Sequence, residues 1–287
     1  MSGRLVVIAS HPKSGNTWVR IFIERLRHGS HHPLNRLGGS IHGILRRLMF
    51  DEVMQVNAAD LLAEELETLE PLAWREAMQR AAGDIFVKTH EMARCNRRGE
   101  WIFPPDGVRA VIHLVRHPFD VAISTASHFS APIENAVAFL VQGGSPPSIP
   151  ASLPETLPQV TGNWSTHARS WLDGPYNTCC VRYEDLLARA VPEFQRIAAA
   201  AGFPAGASEI AATVEACRFD RLQAEEKSGG FPERVSETVP FFRAGRSGTW
   251  QGILNEGMCQ AIVMAHGAMM KRLGYGADGS VLPLPSS

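Results

Sequence analysis

No stretch of this 287-residue chain approaches the roughly 18 to 20 consecutive apolar residues that a membrane-crossing helix needs. Met1 to Ser10 carries no basic region, no long apolar core and no small-residue cleavage site. These two absences lead us to expect a soluble, cytoplasmic protein without a membrane partner. An excess of charge of one sign is missing too. Lys and Arg total 28 against 29 Asp and Glu, a formal net charge of -1, which excludes a global basic field for nucleic acid or an anionic membrane. Any anion site must therefore be local. Cysteine is sparse: Cys95, Cys179, Cys180, Cys217 and Cys259 are five in number, two of them adjacent. That pattern fits neither a disulfide framework nor a CxxC metal pair, and reads as reduced, mostly buried thiols. Internal repeats are absent. At 45% hydrophobic and 20% charged residues, the chain has the composition of an ordinary globular protein with a sizeable core, and one domain over residues 1–287 is expected.

Apolar patterning divides the chain into alternating strands and helices. Arg4 to Ser10 is a short β-branched run, and a helical pattern begins at Thr17 after the turn His11 to Asn16. Ile41, Ile44, Leu45, Leu48, Met49 and Phe50 form an apolar stripe at helical spacing. Amphipathic helices are expected over 58–70 and 74–82. Buried strands are expected over 84–90 and 108–115, and Pro118 is placed to open the next helix. Gly143 to Pro158, with five prolines, two glycines and three serines, reads as a long loop and a lid. Helices over 161–172, 184–201 and 205–216, and a strand over 176–182, complete the reading. The expectation is an α/β fold: a central, mostly parallel sheet flanked by helices, with its ligand site at the carboxyl ends of the strands.

Chemistry concentrates at those ends. Pro12-Lys13-Ser14-Gly15-Asn16-Thr17-Trp18 joins a strand to a helix N-terminus, where unpaired amides and the helix dipole favour an anion. The spacing is not that of a Walker loop, so a P-loop-like nucleotide site is indicated without support for Mg-NTP. A structural turn capped by Ser14 or Thr17 is the alternative.

This loop resembles the 5′-phosphosulfate-binding motif of the family of sulfotransferases that use 3′-phosphoadenosine 5′-phosphosulfate (PAPS). Two further segments support the resemblance. Arg116 to Ser124 (RHPFDVAIS) is similar to the family's 3′-phosphate motif, and Arg243 to Trp250 (RAGRSGTW) to its R-x-G-x-x-G-x-W loop. The resemblance implies the sulfotransferase fold, PAPS as donor with PAP as product, and no metal. It implies that Lys13 neutralises the leaving phosphate and that amides of Ser14, Gly15, Asn16 and Thr17 hold the 5′-phosphate. Trp18 would pack on adenine or, alternatively, anchor the first helix. Arg116, Ser124, Arg243 and Gly245 would bind the 3′-phosphate, although Arg243 and Arg246 also read as solvated loop charges. Tyr183 and Phe219 match adenine-side aromatics. Lys88-Thr89-His90 resembles the family's K-T-H segment, and the resemblance implies His90 as the general base, Lys88 as a second cation and, from the family's counterpart of Ser124, a restraint on Lys13. Glu91 is a weaker candidate that orients His90 or meets an acceptor cation.

Departures are equally visible. Ala244 stands where many animal cytosolic members carry a basic residue, and 251–260 does not reproduce their dimerisation motif, so the oligomeric state stays open. The expected acceptor loops, 28–57, 92–106, 129–160 and 225–242, look more like a bacterial natural-product branch. Glycosides, phenols and lipid alcohols all fit a small hydroxylated acceptor. Arg46, Arg47, Arg97 and Arg98 would meet an anionic one. His28, His31, His32 and His42 are irregularly spaced and read as a solvated loop rather than a metal cluster. Two other classes are a P-loop kinase or NTPase, for which Asp120 is the nearby metal-binding candidate, and an idle PAP-binding protein.

Overall fold

The computed structural model describes residues 3–36, 41–43, 47–145, 157–234 and 240–283. Most of the expected lid, at 146–156, and Arg46 lie outside them.

Six consecutive buried residues make β1, Leu5–Ser10, the centre of the sheet. It is followed by α1, Asn16–His28; β2, Ile41–Gly43; α2, Arg47–Met54; α3, Ala63–Arg80; β3, Ile85–Thr89; and β4, Val108–Val115. Then come α4, Pro118–His128; α5, Ile133–Gln142; α6, Trp164–Leu172; β5, Thr178–Arg182; α7, Tyr183–Ala188; and α8, Ala190–Ala200. The last helices are α9, Ala207–Ala216; α10, Phe219–Gly229; and α11, Glu256–Arg272. The strands pair in the order β2-β3-β1-β4-β5, and every pairing is parallel.

Strand periodicity of two splits β1 between two cores. Val6 and Ile8 pack with α1, α8 and α9 through Val19, Phe22, Phe194 and Val214. Leu5, Val7 and Ala9 face the opposite layer, with Trp74, Phe103 and Trp171. A third cluster joins α4, α5, α6 and α11 through Phe119, Leu140, Trp164 and Met270. From β1 the chain runs to β3 on one side and returns to β4 on the other. That reversal opens a crevice at the carboxyl end of β1, where open parallel sheets bind ligands.

Several boundaries differ from those expected. Ile41 begins no helical stripe: it lies in an edge strand opposite Phe86, satisfying backbone groups of β3, and the helix starts only at Arg47. The helices expected on either side of Pro71 are one helix with Pro71 inside it. Leu66, Ala73, Trp74 and Ala77 share a buried face across that point, and burying it outweighs the missing N–H. The helix expected over 184–201 breaks at Arg189, with φ −143° and ψ 53°, because Pro192 in the first turn of α8 rejects a continuous helix. The periodicity reading assigned no helix over α5, α10 or α11.

Candidate donor and transfer site

Four strand ends deliver the candidate residues to one place: β1 leads into the Lys13 loop, β3 into Lys88 and His90, β4 into Arg116, and β5 into Tyr183. Asn16 fastens the first loop to its strand, its Nδ2 donating to Ile8 O at 3.1 Å and Ser10 Oγ at 3.2 Å. Lys13 takes a left-handed φ of 68°, uncommon for a residue with a Cβ. Gly15 caps α1 at φ 99°, and a Cβ there would come within 2.8 Å of the Tyr183 ring. Glycine is therefore required twice over, for its torsion and for the close approach. Ser14 Oγ is buried without a protein partner, and the first amides of α1 have no intrahelical acceptor.

Arg116 closes the cradle from β4. Its Nη1 donates to Lys13 O at 3.3 Å and its Nη2 to Arg246 O at 3.1 Å, while the guanidinium stacks 4.4 Å from the centre of the Tyr183 ring. Its Nε is buried and unpartnered. The 243–250 loop is pinned by Asp120, whose carboxylate accepts from Gly248 N, Thr249 N and Thr249 Oγ1, each at 2.7 Å. That carboxylate belongs to the loop clamp, with both oxygens taken by loop donors. Gly245, at φ 59°, lies so close to Phe219 that a Cβ would strike the ring. Ala244 is half-buried, whereas Arg243 and Arg246 point to solvent.

Lys13 Nζ lies 4.6 Å from the centre of the Phe241 ring. Burial lowers its pKa to about 7, with Glu233 raising it and Lys88, Arg116 and Arg243 lowering it further. Burial also lowers Lys88, against an upward pull from Glu233. No hydrogen bond joins Lys13 to Ser124 among the described residues; Ser124 is half-buried on α4. Trp18 donates from Nε1 to Cys217 O at 2.8 Å and meets Phe194 edge-on at 5.5 Å. It anchors α1 in the core and also flanks Tyr183 at 6.1 Å.

His90 Nδ1 lies 2.8 Å from Ser10 O. A carbonyl accepts only, so Nδ1 carries the proton and the lone pair sits on Nε2. Burial and neighbouring Lys88 hold this imidazole well below its usual pKa, hence neutral near pH 7. Glu91 points elsewhere, onto Arg94 at 2.7 Å, and burial raises its pKa to about 7 against that guanidinium. Beside the K-T-H end, Glu70, Trp74, Thr89, Glu91, Phe103 and Gln159 enclose a cavity of about 10 Å³, room for one water-sized group. Segments 92–106 and 225–242, expected around the acceptor, are divided. The first packs Ala93, Ile102 and Phe103 into the core, and the second reaches the donor cradle through Glu233 and Phe241. Arg97 pairs with Glu64 at 2.7 Å. His28 and His32 flank Glu24 at 3.6 and 3.8 Å.

Two residues of the cradle carried no motif signal. Arg20 is one helical turn beyond Thr17 on α1, a charge amid Val19, Ile21, Phe22 and Ile23, and its place in that apolar run is the clue. Glu233 meets Thr17 across 216 positions, which local pattern cannot reveal.

The sulfotransferase domain family matches residues 4–274, and the chain belongs to that family. Among solved structures, retinol dehydratase in complex with androsterone and inactive cofactor PAP is similar at 18% identity and a TM-score of 0.63, over 93% of this chain and 80% of that one. A mouse sulfotransferase complexed with PAP is similar at 18% identity and a TM-score of 0.59, over 93% and 84%. Both likenesses are of fold. The comparison with curated proteins returned no match. Among the described residues no helix is long and apolar enough to cross a membrane.

Proposed function

We propose that this chain transfers the sulfuryl group of PAPS to a hydroxyl of a small-molecule acceptor, producing a sulfate ester and PAP. The observation that carries the reading is the convergence of Lys13, Lys88, His90 and Arg116 at adjoining carboxyl ends of β1, β3 and β4. Ser14 Oγ and Arg116 Nε, both buried and unpartnered, fit an anionic nucleotide, as does the α1 N-terminus. Solved relatives of the same fold bind PAP.

Ser14, Gly15, Asn16 and Thr17 hold the 5′-phosphate, and Arg116, Ser124, Arg243 and the Ala244-Gly245 backbone hold the 3′-phosphate. Trp18, Tyr183 and Phe219 border the adenine. Bound there, PAPS supplies an activated sulfuryl group with a phosphate as leaving group. His90 Nε2 takes the acceptor's hydroxyl proton as the new O–S bond forms. Lys13 neutralises charge on the phosphate oxygen as the old S–O bond breaks, with Lys88 as a second cation beside it. Positioning and charge neutralisation dominate such a loosely bonded transition state. A cytoplasmic setting and a natural-product acceptor belong to the same proposal.

Calorimetric titration with PAP, and with ATP plus Mg²⁺, tests the donor site. Metal-independent PAP binding that weakens at least about tenfold in Arg116→Ala is expected from the loss of a charge-assisted fork. Absence of PAP binding, or preference for Mg-ATP, overturns the reading. His90→Ala should keep PAP affinity and lose about a hundredfold or more in transfer rate; an unchanged rate removes His90 as the base.

A further inference from the structure

Glu233 places a carboxylate inside the donor cradle. It lies four residues beyond the end of α10, in none of the three motifs. Its Oε2 accepts from Thr17 Oγ1 at 3.0 Å and its Oε1 from Arg20 Nη1 at 2.5 Å. Thr17 is the second residue of α1, so this carboxylate sits at a helix N-terminus, on a hydroxyl and a guanidinium, within electrostatic reach of Lys13 and Lys88. That is the set of contacts a phosphate or sulfuryl group seeks. Burial favours the protonated acid, yet Arg20, Lys88 and the two hydrogen bonds outweigh it and hold Glu233 ionised, with a pKa of about 2.

Two facts make coexistence with an anionic donor unfavourable. Thr17 has one hydroxyl proton to give, and it is already given to Glu233. A phosphosulfate entering the same loop also faces a like charge with little water between them. Arg20, only 2% exposed, has Glu233 as its ion-pair partner, whereas Glu233 itself is 29% exposed. The carboxylate therefore has a route to solvent that the guanidinium lacks.

We propose that Glu233 is an internal competitor of the donor: its carboxylate fills the anion contacts at Thr17 and Arg20 in the free protein and leaves them to the 5′-phosphosulfate of PAPS. This rests on the PAPS reading above. Donor affinity is then the difference between two anions for one cradle. Arg20, held buried and charged by Glu233 beforehand, becomes a ligand of the incoming group. Glu233 is thus an affinity-setting residue and takes no part in bond making.

The test is calorimetric titration of wild type and Glu233→Gln with PAP, with thermal melts recorded alongside. Removing the charge while keeping the shape should tighten PAP binding about tenfold or more, because like-charge juxtaposition in a half-buried site costs at least that factor. Equal or weaker binding by a folded Glu233→Gln overturns the competitor and makes Glu233 a prop for Arg20. Should that variant not fold, Glu233→Asp keeps the charge but is one methylene short of spanning Thr17 and Arg20. It is expected to bind PAP more tightly than wild type, and equal or weaker binding again overturns the inference. No PAP binding by folded wild type removes the PAPS reading and this inference with it, whereas binding by wild type without a gain in the variants removes the inference alone.

Discussion

Lys13 holds its charge only conditionally in the free protein. Burial brings its pKa to about 7, and the upward pull of Glu233 is opposed by Lys88, Arg116 and Arg243. Below that value Lys13 is a cation and favours an anionic ligand; above it the charge is lost and so is the attraction. PAP affinity in the proposed donor site is therefore expected to fall as pH rises from about 7 to about 8.5. Lys13→Arg, with a side chain that stays protonated, should flatten that dependence, and titration at three pH values checks it. Persistence of the wild-type slope in Lys13→Arg would locate the titrating group elsewhere. His90 differs in kind: Ser10 O fixes its tautomer, and burial, aided by Lys88, keeps it neutral. At this scale the K-T-H and Lys13 signals were readable in the sequence, but the shifted pKa values that make them useful were not.

The loop of residues 243–250 depends on a helix that precedes it by more than a hundred positions. Asp120, buried in the first turn of α4, spends both oxygens on Gly248 and Thr249, while Arg116, just before the same helix, holds Arg246 O. The two motif segments are thus one mechanical unit. Asp120→Ala leaves two amides of that loop without their charged acceptor, at a cost of about 1.5–3 kcal/mol for a hydrogen bond to a charged group. A lower Tm and at least about tenfold weaker PAP binding are expected, measured by melting and calorimetry. Unchanged PAP affinity in a folded Asp120→Ala would show that the loop needs no clamp. Element boundaries follow the same logic. The β1, β3, β4 and β5 runs were legible as short segments rich in apolar and β-branched residues and bounded by turn residues, most plainly β1, where two buried faces force a continuous apolar sequence. The short edge strand Ile41–Gly43 exists only because β3 offers it backbone partners. Pro71 is tolerated because its helix has a face to bury, whereas Pro192 breaks a helix near its start.

Between the sheet and α6 the molecule buries several imidazoles. The His11 and His167 rings lie 5.8 Å apart and those of His113 and His167 5.5 Å apart, with His90 close by. Burial lowers His11 and His113 to about 3, and drives His90 and His167 well down too. Unfolded, such groups protonate near pH 6.5. Below that pH the unfolded chain binds more protons than the folded one. Stability is therefore lost on acidification, by about 1.4 kcal/mol per pH unit for each such histidine. Glu70 and Glu91 are raised by burial and act in the opposite sense, losing stability as pH rises from about 4.5. Burial raises Glu184 as well and lowers His117, His128 and His266 as well, so three carboxyls oppose seven imidazoles and acid sensitivity should prevail. His113, fully buried with both ring nitrogens unpartnered, gives a clean test. The fall in Tm between pH 7.5 and pH 5 should be smaller in His113→Leu than in wild type, and an equal fall would assign the sensitivity to other groups.

Local pattern by itself determined the α/β class, four of the five strands among the described residues and the phosphate-seeking loop at Lys13, while resemblance to the family picked out the segments 116–124 and 243–250. Each of those is written in contiguous residues through periodicity, glycine placement and charge at a strand end. Tertiary structure alone decided which charges share a cradle. Glu233 reaches Thr17 and Arg20 across 216 and 213 positions, and Asp120 reaches Thr249 across 129. Such pairings depend on how layers stack around the sheet, and sequence spacing carries no record of the distance between two residues on different layers.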